Sequence, residues 1–129
     1  MIGATAACSA RLLAGCVAAV ALLGPAAASA EVPPKSARVT VNDFFFAPTT
    51  VTIGKGGAVK WVWSAANTNP HTVHLKSGPK GLEKRGSYST RTSAVSEARF
   101  RKTFDTAGTY RYICTIHPTQ MKMTVVVKR

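Results

Sequence analysis

The chain is poor in acid, in histidine and in cysteine. Its 129 residues carry 17 Lys plus Arg but only 5 Asp plus Glu, 3 His and 3 Cys. The acids are scattered as Glu31, Asp43, Glu83, Glu97 and Asp105. They offer no carboxylate pair for acid–base work, and no nucleophile–His–acid set suggests itself, so hydrolytic catalysis finds no support. Sustained helical periodicity is missing too, which excludes a helical bundle. The best apolar run, Leu12–Leu23, is too short to cross a bilayer comfortably.

That run sits in a segment with one charge, Arg11, and is followed by Pro25 and the small residues Ala28-Ser29-Ala30. Residues 1–30 therefore read as a secretory signal cleaved before Glu31. Leu13-Ala14-Gly15-Cys16 mimics a lipoprotein cleavage box that would leave a lipidated Cys16, but the apolar stretch ahead of it is weak and interrupted by Arg11. Cleavage before Glu31 is favoured over that reading and over an uncleaved anchor. The exported chain, expected in the periplasm or outside the cell of a bacterium, would then keep one cysteine, Cys114. In an oxidising compartment cysteines are usually paired, so an unpaired one points to an intermolecular disulfide, a reactive thiol or a metal ligand.

Residues 31–129 suffice for one domain with one core. Residues 31–36, with Pro33-Pro34, form a flexible lead-in, and the domain proper is expected over 37–129. Strands are expected at Ala37–Val41, Thr49–Ile53, Ala58–Trp63, His71–Lys76, Ala98–Phe104, Thr109–Cys114 and Met123–Lys128. Val59, Trp61 and Trp63 share the face expected to point inward. Phe44-Phe45-Phe46-Ala47-Pro48 reads as a bend that sends aromatics into the core. Lys102 spoils the apolar face of its strand, as an edge position or a bulge would allow. Residues 77–97 have no period and read as a long loop, with a short edge strand or one helical turn near Gly81–Arg85. Six to eight strands with glycine-marked turns make an all-β, antiparallel Greek-key sandwich. An immunoglobulin-type domain would show Tyr112-Ile113-Cys114 and a core Trp61, but its second cysteine is missing after residue 30.

The chemistry gathers near the C-terminus. Cys114, His117 and Met121 place a thiolate, an imidazole and a thioether within eight residues, and His71 adds a second imidazole from upstream. Two imidazoles, one thiolate and a weak axial thioether are the donor set of a blue-copper electron-transfer site. Structural zinc takes four strong Cys/His donors, so this set suits copper better. His74 lies three positions after His71, on the opposite face of an extended strand, and reads as surface or structural. Met123 reads as core.

These residues resemble the cupredoxins, most closely the small plastocyanin- and amicyanin-like carriers. The resemblance rests on Pro70-His71-Thr72-Val73-His74 and on Gly108-Thr-Tyr-Arg-Tyr-Ile-Cys114-Thr-Ile-His117-Pro118, and extends weakly through Phe46-Ala-Pro48 and Ala58-Val-Lys-Trp61-Val. It implies His71, Cys114 and His117 as equatorial ligands of one type 1 copper and Met121 as the axial one. It also implies that the Thr72 amide bonds the Cys114 sulfur, while Pro118, lacking an N–H, leaves the thiolate less neutralised. The chain departs from amicyanin-like loops in having three residues, not two, between His117 and Met121. Gln120 takes the two-residue spacing and is the alternative axial ligand. Trp63 stands where many relatives carry a polar residue.

The expected function is one-electron transport through Cu(II)/Cu(I), with electrons passing through the His117 ring. Three histidines leave no imidazoles for a further catalytic copper, so no enzyme is expected. Without Arg11, sixteen Lys plus Arg face five acids, a formal +11. That charge suits brief docking of a monomer with an acidic redox protein, or contact with an anionic envelope surface. Nucleic acid is not expected for an exported chain lacking a recognition motif. A copper-holding or copper-delivering envelope protein without an obligate redox role is the alternative.

Overall fold

Alternating β-branched, aromatic and polar residues build eight strands in the computed structural model, which describes residues 24–129. The expected signal's apolar run, with Cys8 and Cys16, lies outside the described residues. The strands are β1 (Ser36–Asn42), β2 (Phe45–Ala47), β3 (Thr50–Gly54), β4 (Gly57–Trp63), β5 (His74–Ser77), β6 (Arg99–Phe104), β7 (Gly108–Ile113) and β8 (Lys122–Lys128). They form two four-stranded sheets, in the orders β2-β1-β4-β6 and β3-β8-β7-β5.

Both sheets are mixed rather than purely antiparallel. β1 runs parallel to β4, with Val39 opposite Trp61 and Val41 opposite Trp63. β3 runs parallel to β8, with Val51 opposite Val125. The chain changes sheets at β2→β3 and again at β3→β4, and so returns beside β1 pointing the same way. This places the C-terminal ends of β1 and β4 together, with the Ser64 amide bonded to the Val41 carbonyl. The loops leaving both strands therefore emerge at one end of the sandwich.

Side-chain alternation decides what fills the space between the sheets. Val39, Val41, Val59, Trp61, Trp63 and Phe104 of one sheet meet Val51, Ile53, Leu75, Tyr110, Tyr112, Val125 and Val127 of the other, all buried. Trp61 is the hub, with ring centroids 5.0 Å from Tyr112 and 5.4 Å from Phe100. Its indole N–H donates to Met123 Sδ at 3.1 Å, so Met123 is a core residue. Aromatic pairs of this kind add about 0.5–1.5 kcal/mol each beyond area burial.

Lys102 faces inward on β6, and β6 is an edge strand, so the side chain escapes sideways. Its ammonium lies 4.0 Å from the Tyr88 ring centroid and bonds Ser87 Oγ at 2.6 Å. A flush aliphatic position was not needed there.

Two local expectations are corrected. Of the three consecutive phenylalanines only Phe46 is buried; Phe44 and Phe45 are 45% and 52% exposed. Phe46 alone points inward from β2, and Phe44 sits in the connection at φ 69°. The strand expected from His71 begins at His74 instead. His71 makes an isolated antiparallel bridge with Ala94, each amide bonding the other's carbonyl, and Val73 is bonded to Thr90. The excursion 78–98 thus supplies the backbone partners that β7 would otherwise have given. It carries one 3₁₀ turn, Arg85–Tyr88, and its Tyr88 ring stacks on Tyr110 at 5.7 Å. Gly108 permits its close return, since φ is 146° and a Cβ there would meet Pro79 Cγ at 2.6 Å.

Candidate metal centre

Three connections meet at the end where β1, β4 and β7 finish. The pairing of His74 with Ile113 brings the start of β5 beside the end of β7. His71–Val73 therefore lies against Cys114, although 43 residues separate His71 from Cys114. The loop 114–121 closes on itself through backbone bonds, Cys114 N–H to Met121 O at 3.1 Å and Met121 N–H to His117 O at 3.0 Å. A tight local ring of this sort holds three of the expected ligands with little help from the remaining chain.

The donor atoms of His71, Cys114 and His117 all lie within 4.8 Å of one another. Cys114 Sγ is 4.0 Å from His71 Nδ1 and 3.7 Å from His117 Nδ1. Both rings thus turn the same nitrogen toward the sulfur. His71, Cys114 and Met121 are fully buried, while His117 is half-buried. Gln120 is exposed, its Oε1 accepting from Thr119 Oγ1 at 3.5 Å. His74 is exposed on β5.

The Thr72 amide donates to Cys114 Sγ at 3.4 Å, as the resemblance implied. The Thr72 hydroxyl accepts from the Thr115 amide at 2.9 Å and tethers the loop to the His71 segment. Pro118 is exposed beside Thr119. A buried sulfur near two imidazoles, receiving an N–H bond, fits the environment of a metal-bound thiolate better than that of a disulfide. Among the described residues Cys114 has no cysteine partner. Three strong donors and a buried thioether fit copper, whereas zinc would require a fourth strong donor.

Two residues at this end were not anticipated. Asp43, at the close of β1, places Oδ1 2.8 Å from His71 Nε2. It also accepts from the Thr68 amide and hydroxyl, both at 2.9 Å, and from the Asn69 amide at 3.1 Å. The His71 bond first, then the Thr68 amide, hold its carboxyl well below the usual carboxylate range. Phe44 follows it and sets its ring edge-on to both histidines, 5.0 Å from His117 and 6.3 Å from His71. The sequence did carry a faint signal for Asp43. It stands in Val41-Asn-Asp-Phe-Phe with no cation nearby in the chain, in a protein otherwise crowded with them.

Trp63 fits the same pattern: its indole N–H donates to the His71 carbonyl at 3.3 Å. Asn67 bonds the Val41 and Val95 carbonyls at 2.9 and 3.0 Å, pinning the loop before His71. His71 is consequently fixed by Trp63, Ala94 and Asp43 on three sides.

A family model for copper-binding proteins of the plastocyanin/azurin family matches residues 35–128. Amicyanin-alpha of Methylorubrum extorquens is 40% identical over 101 residues, 76% of this chain and 76% of its own length. Among solved structures, a mutant plastocyanin of fern superposes with a TM-score of 0.60 at 28% identity, over 71% of this chain and all of its own. Amicyanin from Paracoccus versutus superposes at 0.57 with 29% identity, over 77% of this chain and 87% of its own.

Proposed function

The chain belongs to the plastocyanin/azurin family of copper-binding proteins, and from that premise we propose how it holds its metal and meets its partners. It is a type 1 copper electron carrier. His71 Nδ1, Cys114 Sγ and His117 Nδ1 are the strong ligands of this reading, and Met121 is the weak axial one. The observation that carries it is the convergence of both Nδ1 atoms on one buried sulfur, at 4.0 and 3.7 Å. For Met121 over Gln120 the support is burial: Met121 is fully enclosed and Gln120 faces solvent.

Copper held there supplies a one-electron couple; the chain's part is to keep its donors still. Thr72 holds the sulfur by an N–H bond and the loop by its hydroxyl. Trp63 and Ala94 hold the His71 backbone, and Asp43 holds its ring. Little motion between oxidation states keeps the barrier to electron exchange low. His117 is the ligand nearest solvent, so electrons enter and leave by its ring, past Phe44, Ile116 and Pro118. Phe44 and Ile116, each 45% exposed, give that exit an apolar rim suited to short-lived docking.

The partner in this reading is an acidic redox protein, and the carrier acts as a monomer in the bacterial periplasm or outside the cell after loss of residues 1–30. Charge supports it. On the outer face of the first sheet Arg38 lies opposite Lys60, and Lys60 opposite Arg101, three cations in one cross-strand row. The chain is a carrier and not an enzyme in this reading: His74, the remaining imidazole, is exposed on β5 and cannot supply a second copper centre.

The test is to add Cu(II) to residues 31–129 and record visible and paramagnetic-resonance spectra. An intense blue thiolate-to-copper band is expected, abolished in Cys114→Ala. Met121→Leu should change the spectrum and raise the reduction potential, whereas Gln120→Ala should leave both as they are. A colourless or ordinary Cu(II) spectrum in the unmutated protein would sink the ligand set, and the reverse behaviour of Met121 and Gln120 would exchange the axial assignment.

A further inference from the structure

The His71 ring is held at both nitrogens by groups of different kinds. Nδ1 faces Cys114 Sγ at 4.0 Å, and Nε2 lies 2.8 Å from Asp43 Oδ1. A neutral imidazole has one N–H and one lone pair, so an acceptor at Nε2 keeps the proton there and leaves Nδ1 as the donor of electrons. A backbone carbonyl would serve that purpose. Here the acceptor is an ionised carboxylate.

Nothing on the structure cancels its charge. Asp43 has three other donors, the Thr68 amide, the Thr68 hydroxyl and the Asn69 amide, and all are neutral. Its fourth partner, the His71 Nε2–H, belongs to a neutral ring in this reading. Among the described residues no lysine or arginine comes to it, in a chain with a formal charge of +12. These neutral bonds aim the carboxylate: Oδ2 is occupied by Thr68, and Oδ1 is left for His71 and Asn69. The parallel pairing of β1 with β4 provides the placement, since it delivers residue 43 to the end of the sandwich where the loop before His71 begins.

We propose that Asp43 tunes the copper potential through His71, by lending negative charge to the ring that donates Nδ1. A carboxylate behind a ligating imidazole fixes the tautomer and raises the ligand's basicity. Added negative charge favours Cu(II) over Cu(I), so Asp43 depresses the reduction potential. Asp43 is a positioning residue, acting on the metal only through His71. The inference rests on the reading of His71 as an Nδ1 ligand.

The experiment compares the copper-loaded unmutated protein with Asp43→Asn, Asp43→Glu and Thr68→Ala by voltammetry and visible spectroscopy. Losing such a partner changes metal affinity by roughly 10–100-fold. If Asp43→Asn weakens Cu(II) about tenfold relative to Cu(I), the midpoint rises by about 59 mV for one electron. Asp43→Glu, which keeps the charge, should bring the midpoint back toward that of the unmutated protein. Thr68→Ala, which loosens the clamp but keeps the charge and the Thr68 amide, should lower stability and move the midpoint less than Asp43→Asn does.

An unchanged midpoint in Asp43→Asn with the blue band intact would overturn the proposal and leave Asp43 a purely structural clamp. Absence of the blue band from the unmutated protein would instead overturn the ligand reading beneath it. A second measurement requires no variant. In the Cu(I)-loaded protein, nitrogen–proton spectra should show the His71 proton on Nε2, shifted downfield and slow to exchange. A His71 Nε2 proton that exchanges freely with water would also overturn the proposal.

Discussion

Tyr112 lies at the centre of the sandwich, fully buried beside Trp61, and its hydroxyl finds no hydrogen-bond partner among the described residues. Burial accordingly pushes its phenol well above the usual tyrosine range. A buried polar group left unpaired costs about 1–3 kcal/mol of stability. Tyr112→Phe removes that oxygen and keeps the ring against Trp61. It forfeits a few dispersion contacts of the hydroxyl, so the gain should fall near the low end, about 1 kcal/mol. Unfolding entropy near 60 °C is about 2.1 cal/mol/K per residue. For the 99 residues from Glu31 to Arg129, that gain raises the melting temperature by about 5 °C. Thermal melts of metal-free Tyr112→Phe and unmutated protein, followed by near-ultraviolet dichroism, measure it directly. Both should also be melted with copper, since a ligand that binds only the folded state raises both curves. A fall of 1 kcal/mol or more in the variant would refute the reasoning, for it would mean that the hydroxyl has a good partner in solution.

Two further outcomes are expected. All three tyrosines are raised: Tyr88 and Tyr110 by burial first and then by charged or ionisable neighbours, Tyr110 being pushed up to about 12. The folded chain should therefore show clearly less phenolate absorbance at pH 10 than the unfolded chain, which is half titrated there. Because the folded state retains those protons, the stability they contribute is fully present below pH 10 and drains away as the pH rises toward about 12. A native protein titrating half its tyrosine at pH 10 would contradict this. For the row Arg38–Lys60–Arg101, like charges directly opposite one another are destabilising, by about 0.2–1 kcal/mol per pair. Changing all three to Gln should raise stability at low salt and slow electron exchange with an acidic redox protein. Both differences should vanish near 1 M salt, where screening acts within about 3 Å. Slowing that persists at high salt would show that the row does something other than attract.

Local alternation made much of this molecule readable. Val59, Trp61 and Trp63 announce an inward face because a strand's side chains alternate whatever its neighbours are. Cys114 and His117 announce a ligand loop because one short segment carries both. The unreadable parts depend on partners far away in the chain. Nothing within β1 says that it will lie parallel to β4, since the choice is made by where the intervening β3 goes. His71 has the composition of a strand opening, but its amide and carbonyl go to Ala94, which belongs to a segment with no pattern of its own. Asp43 is one of five scattered acids until the loop 64–71 folds back onto it. Lys102, by contrast, could be read: a cation on an apolar face has to be near an edge, and it is.

The excursion 78–98 has a consequence for anyone wishing to shorten or cut this protein. Long surface segments are ordinarily the places where deletion, insertion and protease nicking do least harm. This one is stitched to the segment that delivers His71, through Ala94 to His71, Thr90 to Val73 and Ser89 to Leu75. A nick between Lys80 and Lys84 would fall on residues with few such ties and should be tolerated. The same nick ten residues later would unfasten the ligand's own backbone. What looks like dispensable length is therefore two stretches of opposite value: a trimmable tip and a strap.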